Sequence, residues 1–221
     1  YYITAHEVAH QWFGHQLNAA NVQGSAVLSE SLSQYAALMV MEKKYGEEKI
    51  RKFLTFELDS YLRGRASENL EEMPLLRAEN QQYIHYRKGS IVMMALRDRI
   101  GEQNMNKALK ALIAEYKFSD TVQATTLDLV AALKSVALQQ DHAFIDTQFN
   151  QISIYDLKIV DTVVNKQKDD EYSVTLTVSA TQFEADGKGE ETEQPFDEYV
   201  DIILFSEYPN DFSMENKLVY P

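Results

Sequence analysis

Residues 6–10 of the chain read HEVAH, and Glu30 follows twenty residues after His10. Positions four apart lie on the same face of a helix, so His6 and His10 can direct two imidazoles at one ion. Glu7 is turned away from direct ligation but stays close to the open position of the metal. Two histidines and one carboxylate, with a water in the fourth place, are the ligand set of a catalytic zinc. The stretch therefore predicts a zinc-binding helix, and the alternative is a helix with two histidines and no metal.

The composition is that of a globular segment. The chain has 221 residues, of which 45% are hydrophobic, enough for one large domain or two modest ones. It has no cysteine, which excludes disulfides, thiolate nucleophiles and cysteine-bound zinc. No apolar run approaches the roughly 18 residues that a transmembrane helix needs, and no signal-peptide pattern is present. Because the sequence opens on Tyr1 without an initiator Met, we expect a soluble segment of a longer polypeptide.

The negative charge is concentrated at the C-terminal end. Residues 1–150 carry 16 basic and 18 acidic side chains, a net charge of −2, whereas residues 151–221 carry 5 and 16, a net charge of −11. Nucleic-acid binding requires a clustered basic surface, so the sequence predicts no nucleic-acid partner. The asymmetry also indicates that the two parts are distinct units.

Residues 1–150 show the 3.6-residue apolar period of amphipathic helices. The predicted helices cover residues 2–16, 30–45, 47–62, 83–100, 102–116, 126–138 and 143–150. Ser29 is the expected N-cap of the second helix, and Gly46 and Gly101 are expected to end the second and fourth. The aromatic pair Trp12 and Phe13 is expected in the core.

After Gln151 the apolar period changes from 3.6 to 2, as in half-buried antiparallel strands. The predicted strands cover residues 156–160, 172–180 and 199–205. Residues 186–189, Asp-Gly-Lys-Gly, read as a turn. Strands spaced in this way indicate part of a β-sandwich. We therefore predict a multi-domain chain, α then β, with a helical domain over residues 1–150 and a partial β-sandwich over residues 151–221.

Three stretches carry a resemblance to a known family: HEVAHQWFGHQL at residues 6–17, LSESLSQYAALMV at 28–40 and YIHYRKGSIVMMALRDRIGEQNMNKAL at 83–109. They resemble the gluzincin zinc metallopeptidases of the aminopeptidase N family. In that family H-E-x-x-H-Q-W-F-G opens the zinc helix, N-E-G-F-A-E-Y supplies the third ligand and Y-x-K-G supplies a catalytic tyrosine. The resemblance covers roughly residues 1–135. It implies the helical half of a thermolysin-like (zincin) catalytic domain.

A finer likeness combines HEVAHQW, ANVQG, LSESLSQYAALMVMEK, MPLL and YIHYRKGS. Together these are similar to the peptidase portion of bacterial proteins that fuse such a module to a transporter permease. This likeness implies a membrane-bound bacterial parent polypeptide.

By position, the resemblance makes His6, His10 and Glu30 the ligands of one Zn²⁺ per chain. It makes Glu7 the general base that takes a proton from the zinc-bound water. Tyr86, in the Y-x-K-G element, would donate its phenol O–H to the oxyanion of the tetrahedral intermediate. Without the metal motif, Tyr86 would read as an ordinary amphipathic tyrosine.

Two departures from the family pattern concern the ligands. The gap from His10 to Glu30 is one residue longer than in most members, so the connecting loop must bulge. The residue before Glu30 is Ser29, which leaves Glu30 as the ligand. Gln34 stands where the family has an acid four residues after the third ligand. If that position orients a ligand histidine, an amide oxygen can accept its N–H but without a charge, which would weaken zinc affinity.

A third departure lies upstream of the chain. The Gly-x-Met-Glu-Asn element, which recognises the free amine of the substrate in this family, belongs before the zinc helix, as does the sheet-bearing half of the catalytic domain. Neither is in this sequence. The choice between exopeptidase and endopeptidase therefore stays open, and we expect the isolated segment to be poorly active or inactive.

Other polar residues receive plainer interpretations. Tyr83 competes with Tyr86 for the catalytic role but is expected to line the cleft. His15 is expected to pack or cap, and His85 either reaches the cleft or opens its helix. The acidic run from 184 to 198 is expected to be a solvated edge, with calcium binding as the alternative. Four basic residues are expected on a solvated face: Arg87, Lys88, Arg97 and Arg99.

The predicted function is zinc-dependent hydrolysis of peptide bonds, by family resemblance that of an aminopeptidase. The expected partners are a peptide substrate and the remainder of the parent polypeptide, including the upstream half of the catalytic domain and a membrane permease portion. The alternative is a non-catalytic or regulatory peptide-binding domain of a membrane transporter.

Overall fold

The computed structural model describes residues 1–168, 171–200 and 202. The chain divides into two compact units. The first comprises Tyr1–Ile152 with Ala185–Glu190, and the second comprises Ser153–Glu184 with the chain from Glu191 onward.

The first unit is helical. Its α-helices are α1 (Tyr2–Ala9), α2 (Leu32–Tyr45), α3 (Glu47–Ser67), α4 (Gly89–Ile100), α5 (Glu102–Tyr116), α6 (Thr126–Val136) and α7 (His142–Asn150). Two π-helical turns, Val27–Ser31 and Tyr83–Lys88, lead directly into α2 and α4. Short 3₁₀ turns cover Leu75–Arg77 and Gln139–Asp141. Gly46 and Gly101 end α2 and α4 with φ of 88° and 85°, which glycine adopts without steric cost. These two helix ends confirm the prediction.

Helix α1 is much shorter than its predicted span of 2–16. It ends at Ala9, and His10, the C-cap residue, still has helical backbone angles, with φ −59° and ψ −17°. Gly14 then takes a φ of 117°, and its N–H donates to the carbonyl of Leu17 at 3.0 Å. Phe13, directly before this turn, is buried, whereas Trp12 remains 46% exposed. The prediction of a buried aromatic pair is therefore right for Phe13 and wrong for Trp12.

The start of the second helix also differs from the prediction. Ser29 is not an N-cap, because it lies inside the π-helical turn Val27–Ser31 that precedes α2. Its hydroxyl donates to the carbonyl of Ala26 at 3.5 Å and to the carboxylate of Glu30 at 3.3 Å. Helix α3 continues to Ser67, beyond the predicted end at residue 62.

One hydrophobic core joins the helices of the first unit. Helix α2 packs against α1, α3 and α4, and α5 packs against α4 and α6. The largest fully buried side chains come from nearly every element: Leu17, Leu28, Leu32, Leu38, Met41, Leu75, Ile84, Met93, Leu96, Met105, Leu129 and Phe149. The predicted 3.6-residue periodicity thus corresponds to the core-facing sides of these helices.

The described part of the second unit contains a sheet. Strands β1 (Ile152–Lys166), β2 (Tyr172–Ala185) and β3 (Glu191–Gln194) form a three-stranded antiparallel sheet in the order β1-β2-β3. The predicted fold class, helices followed by a β region, is confirmed. The predicted strand over 199–205 falls mostly outside the described residues. Tyr199, Val200 and Ile202 are described and belong to no strand.

The predicted turn at residues 186–189 is confirmed and belongs to the first unit. The carboxylate of Asp186 accepts the backbone N–H of Lys188 at 2.7 Å and that of Glu190 at 3.1 Å. The carbonyl of Gly187 accepts the N–H of Glu72 at 2.8 Å, which fixes the turn to the segment before the second π-helical turn.

Across residues 1–168, 171–200 and 202, no helix combines the length and apolar character that crossing a membrane requires.

Candidate metal centre

Three side chains converge at the C-terminal end of α1. The Nε2 atoms of His6 and His10 are 3.1 Å apart, and Oε2 of Glu30 lies 3.3 Å from the first and 3.5 Å from the second. Ligand atoms at the zinc–ligand distances typical of a tetrahedral site lie roughly 3.3–3.6 Å from one another. Both nitrogen–oxygen distances fall in this range and the nitrogen–nitrogen distance is slightly shorter, so the three atoms are close enough together to share a single zinc ion. In the described part of the chain, this is the one group of three or more His, Asp or Glu residues whose ligand atoms come together.

The local backbone explains the orientation of His10. Its Nδ1 lies 2.9 Å from the carbonyl oxygen of Phe13 and 3.1 Å from the hydroxyl of Ser33. A carbonyl oxygen only accepts hydrogen bonds, so Nδ1 carries the proton and Nε2 keeps its lone pair for a metal. A Cβ at Gly14 would lie 3.5 Å from this Nδ1, so the turn after α1 passes directly beside the ligand.

The π-helical turn Val27–Ser31 places Glu30 opposite the two histidines. A π turn closes its hydrogen bonds over one more residue than an α turn, so it accommodates one extra residue in a helix. This turn coincides with the stretch for which a bulge is predicted. Oε2 of Glu30 is buried and makes no hydrogen bond of good geometry with any residue that the structure describes, although both imidazoles lie next to it. A buried carboxylate oxygen without a hydrogen-bond partner requires a further partner, and a cation between the three atoms supplies it.

The charge of Glu30 supports the same interpretation. Burial raises the pKa of its carboxyl, but contacts with His6, His10 and Tyr86 lower it to about 2 on balance. Glu30 is therefore ionised at neutral pH, which a ligand to a divalent cation must be.

Tyr86 faces this centre from the second π-helical turn. Its ring centroid lies 5.7 Å from that of His6. Burial, the hydroxyl contact with Glu30 and the charges of Glu30 and Glu7 raise the pKa of Tyr86 to about 12. The phenol is thus protonated at neutral pH and can donate a hydrogen bond. Glu7 is exposed on α1 and is near enough for its charge to act on the phenol.

The two π-helical turns are joined by a close contact. The hydroxyl of Ser31 donates to the carbonyl of His85. A Cβ at Gly89 would lie 2.2 Å from Oγ of Ser31, so only glycine permits this approach. The glycine of the Y-x-K-G element thus lets the segment of Glu30 lie directly against the segment of Tyr86.

Gln34 has a different role from the one considered for it. Its amide N–H groups donate to the hydroxyl of Tyr2 at 2.8 Å and to Oε1 of Glu57 at 3.1 Å. Nδ1 of His6 is buried without a hydrogen-bond partner among the described residues. Gln34 therefore belongs to a polar network around Glu57, a residue that was not predicted from the sequence. The sequence offers one signal for Glu57, which is an acidic residue between two apolar residues of α3, Phe56 and Leu58.

The remaining predictions for single residues have mixed outcomes. His15 is exposed and contacts Gln11 at 3.3 Å, away from the ligand group. His85 is buried beside Tyr86, with ring centroids 4.8 Å apart, and burial lowers the pKa of its imidazole. The ring of Tyr83 is half-buried and stacks on that of Tyr61, with ring centroids 6.0 Å apart.

The prediction that four basic residues form a solvated face is wrong. Arg87 pairs with the buried Glu57, Arg97 with Glu42 and Asp98, and Arg99 with the buried Asp141, while Lys88 is itself buried. Arginine pairs readily with carboxylates at partly buried positions. Basic residues on α4 and on the turn before it therefore do not by themselves predict a solvent-exposed face.

Comparison with known proteins gives one family. The model of the peptidase family M1 domain matches residues 1–152. Endoplasmic reticulum aminopeptidase 2 of Homo sapiens is 26% identical over 145 residues, which is 63% of this chain. Aminopeptidase M1 of Arabidopsis thaliana is 30% identical over 142 residues, which is 60% of this chain. The chain spans 15% of the length of each of these relatives.

Solved structures give the same fold. An M1 zinc metallopeptidase from Deinococcus radiodurans has a TM-score of 0.52 and 24% sequence identity, over 67% of this chain and 32% of its own. A mutant of that protein, bound to a Tyr-Ser-Ala substrate, has a TM-score of 0.53 and 23% identity, with the same coverage. At this level of identity the likeness establishes the fold.

Proposed function

Because the chain belongs to peptidase family M1, we propose that it forms part of the catalytic centre of a zinc-dependent peptidase, with the specificity of an aminopeptidase. The observation that supports this proposal most directly is the spacing of the ligand atoms of His6, His10 and Glu30. Two neutral imidazoles and one carboxylate are the donor set of a catalytic zinc site, in which a fourth position stays open.

In the proposed mechanism, His6, His10 and Glu30 would hold the metal. When bound, zinc acts as a Lewis acid that polarises the substrate carbonyl and lowers the pKa of water towards neutrality. Glu7 takes a proton from the attacking water as general base and passes it on to the leaving amine. Its exposed position on α1 leaves it accessible to water and substrate.

Tyr86 donates its phenol O–H to the oxyanion that develops on the substrate carbonyl. Its pKa near 12 keeps this donor protonated over the neutral and mildly alkaline range. A donor that points at developing charge stabilises the transition state more than the ground state, so its effect falls on kcat.

The aminopeptidase specificity and the assembly are further parts of the proposal. They are supported by the two relatives named as aminopeptidases and by the partial coverage of their length. We propose that the upstream half of the catalytic domain lies in the same polypeptide and supplies the site for the free amine of the substrate. The likeness of HEVAHQW, ANVQG and YIHYRKGS to permease-fused peptidases supports a parent that is bound to a bacterial membrane.

The decisive experiment is Glu7→Gln in the full-length protein, with zinc content measured by atomic absorption and hydrolysis measured on aminoacyl substrates. We expect one zinc per chain in both proteins and a loss of activity of about a hundredfold or more in the variant, because the amide cannot accept the proton. Glu79→Gln, an exposed glutamate away from the ligands, is the matched control and should retain full activity.

An unchanged rate in Glu7→Gln would refute the mechanism. Zinc binding without hydrolysis by the parent protein would favour the non-catalytic peptide-binding alternative. Cleavage of internally quenched peptides with a blocked N-terminus, and not of aminoacyl substrates, would replace the aminopeptidase assignment by an endopeptidase.

A further inference from the structure

Glu57 is a fully buried carboxylate in the helical unit, with an exposure of 0%. It lies on α3, which supplies neither a proposed metal ligand nor a proposed catalytic residue. Burying an ionised carboxylate is unfavourable unless other groups compensate its charge. The identity of those groups therefore indicates its role.

Glu57 accepts hydrogen bonds from three different elements. The hydroxyl of Tyr2 on α1 donates to Oε1 at 2.7 Å, and the amide of Gln34 on α2 donates to the same atom at 3.1 Å. From the second π-helical turn, Nη1 of Arg87 donates to Oε1 at 3.1 Å and to Oε2 at 3.0 Å.

Each of these donors is closely tied to a residue of the proposed centre. Tyr2 lies four residues before His6 on α1, which is about one helical turn. Gln34 lies four residues after Glu30, and Arg87 directly follows Tyr86. The carboxylate thus contacts the helix of the two histidines, the helix that follows the third ligand and the turn that holds the phenol.

We propose that Glu57 is a positioning residue for the proposed hydrolysis: through Arg87 it holds the turn of Tyr86 at a fixed distance from the helices that carry the metal ligands. This inference rests on the function proposed above. An oxyanion donor must lie within hydrogen-bond distance of the reacting carbonyl, and a misplacement of about 1 Å can cost up to a hundredfold in rate. Glu57 touches no reacting atom, so we expect its effect on the rate to act through Arg87 and Tyr86, and the zinc content reports any effect through the two helices that Tyr2 and Gln34 belong to.

Glu72 provides a matched control because it has a similar environment and a different set of partners. It is also buried, with an exposure of 6%. It accepts from the hydroxyl of Tyr61 at 2.9 Å and from Nε of Arg65 at 2.7 Å, and both donors lie on α3. Glu57→Gln and Glu72→Gln therefore remove the same charge from comparable tyrosine–arginine pairs. Of the two carboxylates, Glu57 accepts hydrogen bonds from the turn of Tyr86, whereas Glu72 acts on Lys88 and Tyr83 of that turn through its charge.

The experiment is a double-mutant cycle in the full-length protein. We expect Glu57→Gln to lower kcat about tenfold, with KM changed by less than about twofold and zinc content unchanged. In the Tyr86→Phe background the same substitution should lower kcat by less than about twofold, because the phenol on which it acts is absent. In the parent background, Glu57→Gln should also weaken the binding of a phosphinic peptide, which mimics the tetrahedral transition state. The expected loss of affinity is similar to the loss of kcat. Glu72→Gln should leave both kcat and this affinity within about twofold of the parent.

Arg87→Lys repeats the test if Glu57→Gln does not fold. It keeps the positive charge beside the carboxylate and loses the contact with both oxygens, so the same coupling to Tyr86→Phe is expected. Equal losses from Glu57→Gln with and without Tyr86→Phe would overturn the positioning role and leave the proposed function intact. No loss from Tyr86→Phe itself would overturn the proposed role of the phenol, and the positioning role with it.

Discussion

Lys88 carries a positive charge in the interior of the helical unit, and its Nζ has no hydrogen-bond partner in the described part of the chain. Its side chain is 6% exposed, and Nζ lies 5.6 Å from the centroid of the Tyr61 ring. Burial lowers the pKa of the amine from 10.5 to about 8, the charge of Glu72 opposes this shift and that of Arg65 adds to it. Replacing Lys88 with methionine, which has a similar shape and no charge, is therefore expected to stabilise the fold near neutral pH.

The lowered pKa gives the size and the pH range of the effect. The interval from 10.5 to about 8 corresponds to 2.5 × 1.36, or about 3 kcal/mol of unfavourable free energy for the charged form. Between these two pH values the unfolded chain binds more protons than the folded one, so the stability of the parent rises with pH. Below about pH 8 both states are protonated, and the full cost of about 3 kcal/mol is present.

The assay is urea unfolding of the parent and of Lys88→Met, followed by circular dichroism at a series of pH values. The advantage of the variant should be constant below about pH 8 and should shrink by about 3 kcal/mol as the pH rises to 10.5. Lys107→Met, at an exposed position on α5, is the control, and its stability should stay within about 0.5 kcal/mol of the parent. A variant less stable than the parent, or a difference independent of pH, would refute the account of an uncompensated buried charge.

Three further predictions concern Gly89 beside the proposed centre and the capping box at the start of α6. Gly89→Ala places a Cβ 2.2 Å from Oγ of Ser31 and should destabilise the fold by about 1–3 kcal/mol. In thermal unfolding, adding Ser31→Gly to this variant should restore part of the lost stability. No recovery would contradict the clash. Thr125 and Asp128 form a capping box at the start of α6, so Thr125→Ala should cost about 1 kcal/mol. Partial burial raises the pKa of Asp128, but hydrogen bonds from Thr125 outweigh this effect and lower the pKa below 3.8. The stabilising contribution of Asp128 is therefore complete above that pH and is lost as the pH falls through the lowered value, so unfolding of Asp128→Asn and of the parent should differ least in acid.

Local features of the helical unit were well predicted from sequence. The 3.6-residue period and the glycines after α2 and α4 placed the helices, because these signals depend on neighbouring residues alone. The end of α1 was not predicted, since the histidine spacing is the same whether the helix continues to residue 16 or ends at Ala9. The exposure of Trp12 and the ion pair of Arg87 could not be read either, because both depend on which distant elements pack beside them.

The sequence alone determined that the imidazoles of His6 and His10 lie on the same side of a helix, since residues four apart share one helix face. It also indicated Glu30 and Tyr86 as their companions through the family resemblance. Only the tertiary structure decided that the ligand atoms lie 3.1–3.5 Å apart, and that Glu57 joins the elements of the site through Tyr2, Gln34 and Arg87. The physical reason is that a helical period sets directions within one element, whereas distances between elements are set by side chains that fill the space between them.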